Sequence, residues 1–503
     1  MFRNHSPLFV ALLLITLVGC NGVLEVGIER TPTPDHAVAA TITALRAENS
    51  RLATQVAAAV TPILPSPNLG RVAYVQGGDI WVKALPEGKP QRLTTDGRNR
   101  EPQPRWSPSG EWLAFRKEKQ VTVEQDVPCD IPKPRGICTD RVSILQKQVW
   151  MMEVSGSSAH PLNQGMSVDA FAWSPTGDRL AYTTATEGLS TINANGTDLI
   201  TLVGLNSSDR NSPGRLGRFA WSPDGTWIAY EWWTLPPDQS PASQSVWKVS
   251  ADGKERVELY VSGVSKKGEA VLAGWSPSGQ NVLFWQSETL TASLTDGVAF
   301  YSASAEKGRS KSNPPTRLDT DAMLTYSDFV APAPLATLGK RDVVALAVGS
   351  GRNTWKNKRV ELAGQFITPK NLAAISPAWS PQGTHLAFTA MPDWAGPAAG
   401  EPVQSELMQR RIWVTNVAGE PQPIRLTDAL GYRDERPLWS ADGNYILFAR
   451  MDARGQVSLW VIPVNGGAPR QVVDELTPAP DPVGFYGYVD WNVFFDWWRG
   501  SAT

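Results

Sequence analysis

The stretch WSPSGEWLAF (106–115) contains a motif, Trp-Ser-Pro-x-Gly followed by an apolar triplet, that recurs through most of the chain. The further copies are WSPTGDRLAY (173–182), WSPDGTWIAY (221–230), WSPSGQNVLF (275–284), WSPQGTHLAF (379–388) and, with Ala in place of Pro, WSADGNYILF (439–448). An internal repeat of this kind indicates an architecture built from similar units rather than from unrelated domains.

Each copy of the motif predicts two β-strands joined by a tight turn. The tryptophan ends the first strand, and its large apolar side chain is expected to pack between neighbouring sheets. Proline fixes φ at about −65° and glycine accepts a positive φ, so Ser-Pro-x-Gly suits the turn. The apolar triplet, as in Leu113-Ala114-Phe115, then forms a second strand whose small and large side chains face opposite ways.

A second repeated element supplies the other half of each unit. Its copies include DIWVKAL (79–85), QVWMMEV (148–154), SVWKVSA (245–251), RIWVTNV (411–417) and SLWVIPV (458–464). A glycine-containing turn follows, and then a strand that often ends in Arg-Leu-Thr, as at 92–94 and 425–427. The unit therefore has four antiparallel strands, here labelled A to D, which is the blade of a β-propeller.

These two elements resemble the propeller repeats of the TolB type, which also occur in the propellers of prolyl oligopeptidases and tricorn-like proteases. The resemblance extends over roughly 69–495. It implies an all-β propeller of four-stranded antiparallel blades. Because the propeller of TolB mediates protein contacts, it also implies a binding role, although not a particular partner.

Imperfect copies decide the number of blades. The segments 325–334, 344–346 and 358–364 are predicted as strands A, B and C of a degenerate blade. Residues 71–94 supply strands B, C and D without a strand A, and YGYVDW (486–491) is an A-like strand without successors. Joining these two partial units closes the ring and removes its open edge. The sequence therefore predicts eight blades, or seven if the degenerate copy is an insertion.

The N-terminus resembles the leader of a bacterial lipoprotein. Arg3 provides a positive charge, and residues 8–18 form an apolar run that is too short to span a bilayer. The motif LVGC (17–20) resembles a lipobox, with a small residue before the cleavage point and a thiol after it. We expect 1–19 to be a signal peptide and Cys20 to anchor the protein by lipid to a membrane of the bacterial cell envelope, outside the cytoplasm. An ordinary signal peptide is the alternative.

Residues 20–68 form a linker rich in Thr, Pro and Ala, with helix formers over 37–60. Apolar residues in that stretch alternate at spacings of four and three, and Asn49 occupies a position that can fix the register of a coiled coil. Two interpretations stay open for this short helical stalk: a single spacer helix, or a weak parallel coiled coil through which the chain self-associates. The propeller is predicted to occupy 69–503.

The two remaining cysteines, Cys129 and Cys138, lie in one Pro-rich segment. In an exported chain such a pair is expected to form a disulfide, and two free thiols are the alternative. Closing so short a loop would contribute about 2–3 kcal/mol through loop-closure entropy.

Composition and histidine content limit the possible chemistry. With 47 basic and 49 acidic residues, the chain has no charge excess that would favour nucleic acid. It has four histidines, none of them placed for a Ser-His-Asp triad or a multi-histidine metal site. We therefore predict no metal, no cofactor and no catalysis. The alternative is a carbohydrate-active enzyme, a glycosidase or lyase, that uses carboxylates such as Glu101 and Glu435 at the channel mouth.

Loop lengths predict which face of the disc carries function. The B–C connections at 117–147, 231–244 and 390–410 are long, whereas the A–B turns are short and uniform. In an antiparallel four-stranded blade, the B–C and D–A connections lie on the same side of the disc. The long connections of variable length therefore lie on one face of the disc, which we call the loop-rich face. Binding residues are expected on this face.

Aromatic and charged side chains on the loop-rich face are the candidate partner-binding residues, because exposed aromatic side chains often anchor contacts. They are Trp232, Trp233, Trp394, Glu101, Glu435 and Arg436. For the tryptophans, packing of one loop on another is the alternative, and for the charged residues, a solvated network of ion pairs. The expected partner is an envelope protein, a peptide or a glycan.

Overall fold

The strands of the described residues form eight four-stranded antiparallel sheets. The computed structural model describes residues 67–500 except 98–100, 129–136, 156–158, 163–165, 206–213, 235–242, 263–268, 288–295, 307–313, 335–341 and 397–400. These residues belong to one compact unit, Pro67–Thr503. The predicted signal peptide, Cys20 and the predicted helix over 37–60 lie outside the described residues. The prediction of eight blades is confirmed, and the alternative of seven is wrong.

The strands are numbered along the chain and grouped by blade. Blade 1 contains β1 (Arg71–Gln76), β2 (Asp79–Ala84) and β3 (Gln91–Arg92) as strands B to D, with β32 (Phe495–Trp498) as strand A. Blade 2 contains β4 (Arg105–Trp106), β5 (Trp112–Pro128), β6 (Ile137–Glu153) and β7 (His160–Pro161). Blade 3 contains β8 (Ala170–Trp173), β9 (Arg179–Thr184), β10 (Gly188–Asn193) and β11 (Ile200–Val203). Blade 4 contains β12 (Gly214–Trp221), β13 (Trp227–Thr234), β14 (Ser243–Ser250) and β15 (Arg256–Val261).

The remaining blades follow in the same order from A to D. Blade 5 contains β16 (Ala270–Trp275), β17 (Asn281–Gln286), β18 (Ala299–Ser304) and β19 (Thr316–Arg317). Blade 6 contains β20 (Val330–Pro332), β21 (Val344–Val348), β22 (Arg359–Leu362) and β23 (Gln365–Phe366). Blade 7 contains β24 (Leu372–Trp379), β25 (His385–Pro392), β26 (Arg411–Asn416) and β27 (Ile424–Arg425). Blade 8 contains β28 (Tyr432–Trp439), β29 (Tyr445–Asp452), β30 (Val457–Pro463) and β31 (Arg470–Leu476).

Helices contribute little to the described residues. They are the α-helix α1 (Glu401–Leu407) and two 3-10 turns, Ser327–Phe329 and Trp491–Val493. None of the described helices is long and apolar enough to cross a membrane.

The ring closes by pairing the two ends of the propeller in blade 1. β32 runs antiparallel to β1, with Arg71 opposite Trp498 and Tyr74 opposite Phe495. The indole N–H of Trp497 donates to the carbonyl of Leu69 at 2.7 Å. Strand A of this blade is therefore 495–498, and its predicted position at 486–491 is wrong. The closure pairs an edge of β1 that would otherwise be open.

The Trp-Ser-Pro-x-Gly motif joins neighbouring blades as well as neighbouring strands. In each of its six copies the indole N–H donates to a carbonyl on strand A of the preceding blade. The six pairs, at 2.8 to 3.3 Å, are Trp106 with Asp496, Trp173 with Arg105, Trp221 with Ala172, Trp275 with Ala220, Trp379 with Ala331, and Trp439 with Ala378. The predicted packing of this tryptophan between sheets is confirmed.

The Ser-Pro-x-Gly turn has the predicted geometry, as the copy in blade 4 illustrates. Gly225 has φ of 69°, and its N–H donates to the carbonyl of Ser222 at 2.9 Å. The hydroxyl of Ser222 accepts the N–H of Trp227 at 2.9 Å. Serine and glycine are therefore needed for the turn itself, and the repeat is explained by the scaffold.

The hydrophobic core consists of interfaces between neighbouring blades. Between blades 3 and 4, for example, Leu189 and Val203 pack with Tyr230 and Trp232, and all four are buried. Strands A line the axis, since those of neighbouring blades, such as β24 and β28, lie against each other. Because the strands of a blade alternate in direction, the B–C and D–A connections lie together on the loop-rich face.

Candidate functional site

The segment between β31 and β32 crosses the mouth of the central channel on the loop-rich face. We call residues 478–494 the strap. The carbonyl of Tyr486 accepts hydrogen bonds from the backbone N–H and the hydroxyl of Thr354 in blade 6, at 3.1 and 3.0 Å. The carbonyl of Asn492 accepts a hydrogen bond from Nη1 of Arg105 in blade 2, at 2.6 Å. Blades 6 and 2 face each other across an eight-bladed ring, so the strap spans the channel.

Glu435, a predicted binding residue, lies beneath the strap. One carboxylate oxygen accepts a hydrogen bond from Nε of Arg433 at 2.7 Å and another from Arg410. The second oxygen accepts the indole N–H of Trp491, a strap residue, at 2.9 Å. The side chain of Glu435 is 5% exposed and those of both arginines are 1% exposed. This carboxylate therefore joins two blades to the strap.

The surroundings of Glu435 keep it ionised. Burial raises its pKa, but the charges of Arg433 and Arg410 outweigh burial and lower the pKa to about 2. Such a group has no proton to donate near neutral pH, which a catalytic acid needs. Arg410 also donates to the carbonyl of Gly487 in the strap at 2.7 Å and to the hydroxyl of Thr354 at 2.7 Å. These contacts give Glu435 a structural role.

Tyr488 anchors the strap on blade 6. Its ring stacks on Tyr326 with the centroids 3.8 Å apart, and it meets Phe329 edge-on at 6.1 Å. Asp328, beside this cluster, is buried and accepts a hydrogen bond from the hydroxyl of Ser376 at 2.7 Å. Burial raises the pKa of Asp328 and that of Tyr488. Tyr488 is thus held by contacts between aromatic rings from which water is excluded, and burial there disfavours the charged forms of Asp328 and Tyr488.

Three residues in or just before a strand A have left-handed backbone. Gln103, Ser376 and Arg436 each lie three positions before the strand-A tryptophan, with φ of 46°, 53° and 57°. Residues other than glycine rarely adopt this conformation. The N–H of Gln103 donates to the carbonyl of Val493 at 3.0 Å, and Nη2 of Arg436 donates to Oδ1 of Asn492 at 2.8 Å. At Gln103 and Arg436 the unusual backbone therefore accompanies a hydrogen bond to the strap.

An open pocket of about 430 Å³ lies between the strap and the connection from β3 in blade 1 to β4 in blade 2. Its lining residues are Glu101, Pro478, Ala479, Pro480, Asp481, Gly484, Tyr488, Val489, Asp490, Val493 and Phe494. Glu101 is exposed and forms an ion pair with Lys147 at 3.3 Å. The pocket combines apolar surface with three carboxylates, so it suits a neutral or positively charged side chain. Across the described ranges, no group of three His, Cys, Asp or Glu residues is arranged to hold a metal ion.

The tryptophans proposed as exposed loop anchors are partly or fully buried. Trp232 and Trp233 lie in β13, which continues into the predicted loop; Trp232 is 1% exposed and Trp233 is partly buried. Trp394 is also partly buried and packs with Trp355 and against Gly396. The expected exposure is therefore wrong for Trp232. Trp394 follows the alternative of packing within the loops.

The predicted residues do not form one site. Glu435 and Arg436 both contact the strap, and Glu101 lines the pocket beside it, whereas the tryptophans lie on blades 4 and 7. The strap itself was not recognised from the sequence. Its signal is the proline-rich run from 478 to 482, which is unsuited to a central strand and precedes the A-like aromatic pattern.

The predicted loop at 117–147 is instead most of a long β-hairpin. We call its outer part the ribbon: residues 117–128 of β5 paired with 137–148 of β6. β5 and β6 have 17 residues each and pair without interruption as far as Pro128 opposite Ile137. Toward the tip, pairing with β4 ends at Ala114 and pairing with β7 ends at Trp150. The ribbon therefore extends beyond its blade on the loop-rich face for about 36 Å, at about 3.3 Å per residue.

The predicted disulfide between Cys129 and Cys138 concerns side chains outside those that the structure describes. The disulfide remains a prediction.

Comparisons with known proteins support the fold. No protein-family model and no curated protein matches the chain. Among solved structures, dipeptidyl peptidase 4 of Porphyromonas gingivalis is 12% identical with a TM-score of 0.51; the match covers 82% of this chain and 60% of the peptidase. TolB of Acinetobacter baumannii is 12% identical with a TM-score of 0.33, covering 82% and 66%. An oligogalacturonate lyase in complex with manganese is 12% identical with a TM-score of 0.41, covering 81% and 86%.

The peptidase and the lyase have different activities, and the chain spans about 60% of the length of the peptidase. At such low identity, a structural match gives the fold without an activity. The eight four-stranded sheets confirm the prediction of a β-propeller, and the solved structures that are similar to the chain include TolB.

Proposed function

We propose that the chain is a non-catalytic, membrane-anchored propeller that binds a protein partner through its loop-rich face, using the ribbon and the adjoining pocket. One observation carries the proposal. The strap fills the channel mouth with the chain's own side chains, while the ribbon extends from the same face. A rigid scaffold with one elaborated face is typical of binding proteins.

A carbohydrate-active enzyme has less support from the geometry. It would need Glu435 as an acid, base or nucleophile, but both carboxylate oxygens are engaged by Arg433, Arg410 and Trp491. Glu101, the second carboxylate of that hypothesis, is an exposed member of an ion pair. Turnover of any member of a polysaccharide panel, lost on Glu101→Gln, would replace the binding proposal with the enzymatic one.

The membrane anchor is the lipid at Cys20, proposed from the LVGC motif (17–20). Two or three acyl chains hold a protein stably on a membrane, because each buried CH2 contributes about 0.8 kcal/mol. We expect the full chain to partition into a detergent phase and Cys20→Ala to remain in the aqueous phase. Equal partitioning of the two proteins would contradict the anchor and leave the binding proposal unaffected.

The binding proposal is tested by crosslinking in the native envelope, comparing the full chain with a variant whose ribbon is shortened. The variant joins Lys119 to Gln146, which face each other in the register, through an Asn-Gly turn. We expect the full chain to crosslink one main protein and the variant to lose this product, with an unchanged unfolding temperature. Retention of the product by the variant would contradict a role of the ribbon.

A further inference from the structure

The ribbon has two edges, and this chain covers both only at the base. The carbonyl of Pro102 accepts the N–H of Arg116 in β5 at 2.6 Å. On the other edge, the N–H of Val168 donates to the carbonyl of Lys147 in β6 at 2.9 Å. Beyond these contacts, no strand of the described residues pairs with either edge. An open strand edge can accept another chain.

The base contacts establish which backbone groups of β5 point outward. The N–H of Arg116 points away from β6, and backbone groups alternate in direction along a strand. The N–H and carbonyl groups of Glu118, Gln120, Thr122 and Glu124 therefore also point away from β6. They form a row of donors and acceptors with the spacing that a neighbouring strand requires.

One face of the ribbon is apolar. Val121 lies opposite Ile144, and Val123 lies opposite Val142, so their side chains share this face. Ile144 is 39% exposed, and the other three are partly buried. A third strand on the β5 edge would widen this face and cover apolar surface that a two-stranded ribbon leaves accessible.

The other face carries charges of opposite sign on its two edges. Glu118 and Glu124 lie on β5, whereas Arg141 and Lys147 lie on β6. Glu124 and Arg141 form an ion pair at 3.5 Å, with side chains 65% and 78% exposed. Pairs this exposed contribute little, so Glu124 can exchange its partner at small cost. The β5 edge is therefore suited to basic residues.

We propose that the β5 edge of the ribbon, from Glu118 to Glu124, binds an extended segment of the protein partner as an added antiparallel strand. The segment alternates apolar residues, which continue the face of Val121 and Val123, with polar residues. It carries Lys or Arg opposite Glu118 and Glu124. The inference rests on the proposed function and adds the strand, the edge and the charge pattern of the partner.

The β6 edge is the less suitable one. Its base is occupied by the segment that contains Ser167 and Val168, and its charged residues opposite Glu118–Glu124, Arg141 and Lys147, are basic. Two copies paired through their β5 edges would bring like-charged glutamates together, so a second copy would instead place its β6 edge on the β5 edge of the first. Such a head-to-tail contact does not close on itself and would produce open-ended assemblies. Self-association is therefore a separate outcome of the test.

The probe is a fluorescent peptide of sequence KVTVTVK, which places its lysines opposite Glu118 and Glu124 and its valines on the apolar face. Binding to the full chain is measured by fluorescence anisotropy, and its position by hydrogen exchange. We expect slowed exchange at the amides of Gln120, Thr122 and Glu124, whose N–H groups point outward. Segment 141–147 is expected to change little.

Two matched peptides test the backbone pairing. Residues directly opposite each other in a hydrogen-bonded pair exchange both of their backbone bonds, so the threonine N–H groups of the probe face β5. N-methylation of both threonines is expected to weaken binding by about tenfold or more, since it removes two of these bonds. N-methylation of two valines, whose N–H groups face solvent, is expected to change binding little.

A charge swap tests the role of the glutamates. The peptide EVTVTVE should bind the full chain about tenfold more weakly than KVTVTVK, since like charges lie opposite each other. The variant Glu118→Lys with Glu124→Lys should reverse this preference. An unchanged unfolding temperature confirms that the variant is folded, and the reversal itself cannot arise from loss of folding.

Several results would overturn the inference. In hydrogen exchange, these results are unprotected amides over 118–124 at about 1 mM peptide, or protection of 141–147 instead. In binding and assembly, they are equal binding of the two N-methylated peptides, or concentration-dependent assembly of the chain through its own ribbon edges. If any of these occurs while ribbon shortening still abolishes the crosslinked product, the strand-addition inference is wrong and the proposed function stands. If ribbon shortening leaves the product unchanged, the proposed function is contradicted as well.

Discussion

Replacing Glu435 by Gln tests whether the strap is held by a buried ionic cluster. The carboxylate lies between Arg410 and Arg433 and accepts the indole N–H of Trp491. The substitution keeps the size of the side chain and removes its charge. Both guanidinium groups then remain buried without their counter-ion, which in proteins typically costs about 3–5 kcal/mol.

The pKa of Glu435 gives an independent magnitude. Its value of about 2 lies below the ordinary 4.5, so the folded state stabilises the ionised form. At about 1.4 kcal/mol per pH unit, this contributes about 3 kcal/mol at neutral pH. The contribution is fully present above pH 4.5 and is lost as the pH falls toward 2. At pH 3 it has decreased to about 1.4 kcal/mol.

The measurement is the free energy of unfolding in urea of the full chain and Glu435→Gln, from pH 7 to pH 3. We expect the variant to be less stable by about 3–5 kcal/mol at pH 7, and the difference to decrease below pH 4.5 because Glu435 becomes protonated in the full chain. The control is Glu87→Gln, which breaks an exposed ion pair with Arg470 at 2.9 Å and should cost less than about 1 kcal/mol.

A difference below about 1 kcal/mol at pH 7 would refute the reasoning, because the cluster would then contribute no more than a surface pair. A difference that stays constant between pH 7 and pH 3 would refute the electrostatic part alone. It would indicate that the variant loses stability because the glutamine makes poorer hydrogen bonds or packs less well, and not because the charge is missing.

Three further substitutions test the scaffold. Burial lowers the pKa of Lys358 to about 8, so the buried ammonium group destabilises the fold at neutral pH, and this cost is relieved between pH 8 and 10.5. In urea unfolding, the stability of the full chain relative to Lys358→Met should therefore rise by about 2–3 kcal/mol from pH 7 to pH 10. A difference that does not change with pH would contradict this prediction. Trp379→Phe removes the 2.8 Å indole bond to the preceding blade and should cost about 1–2 kcal/mol in thermal unfolding; no loss would contradict its inter-blade role. Gly110→Ala should destabilise the fold more than Gly419→Ala. Both glycines have a positive φ, but an added Cβ at Gly110 would lie 2.3 Å from the ring of Trp498 in the closing strand. Equal unfolding midpoints of the two variants would contradict this close approach.

The blades were predictable because their determinants are local and repeated. A tryptophan, a Ser-Pro-x-Gly turn and an apolar triplet lie within ten residues, and each copy confirms the others. Even the degenerate blade was found, because β21 is apolar throughout and β22 alternates polar and apolar residues, although β20 lacks the tryptophan. Its inner strand has only three residues and ends at Pro332, which cannot donate a backbone hydrogen bond.

The ribbon was missed because prolines and cysteines near its tip suggested a loop. Its signal is nevertheless present: Val121 and Val123 alternate with polar residues on one strand, and Val142 and Ile144 do so on the other. The residues between them, Thr122 and Ser143, are polar, which matches a strand with one polar face. Trp232 was misplaced for a related reason, because β13 continues past the end of the repeat and carries this side chain into the interface with blade 3.

The length of the last connection explains why the charged residues at the channel mouth became structural. The D–A connection between β27 and β28 has six residues (426–431), whereas that between β31 and β32 has 18 (477–494). A connection of about six residues already reaches from the outer strand of one blade to the inner strand of the next. The additional residues lie over the channel, and Glu435, Arg436 and Arg105 are hydrogen-bonded to them. A mixed cluster of acidic and basic residues at a channel mouth can be a binding site or the attachment point of a segment of the same chain. The sequence alone does not distinguish these two interpretations. Here the segment occupies the mouth, and the proposed surface for a partner is the ribbon.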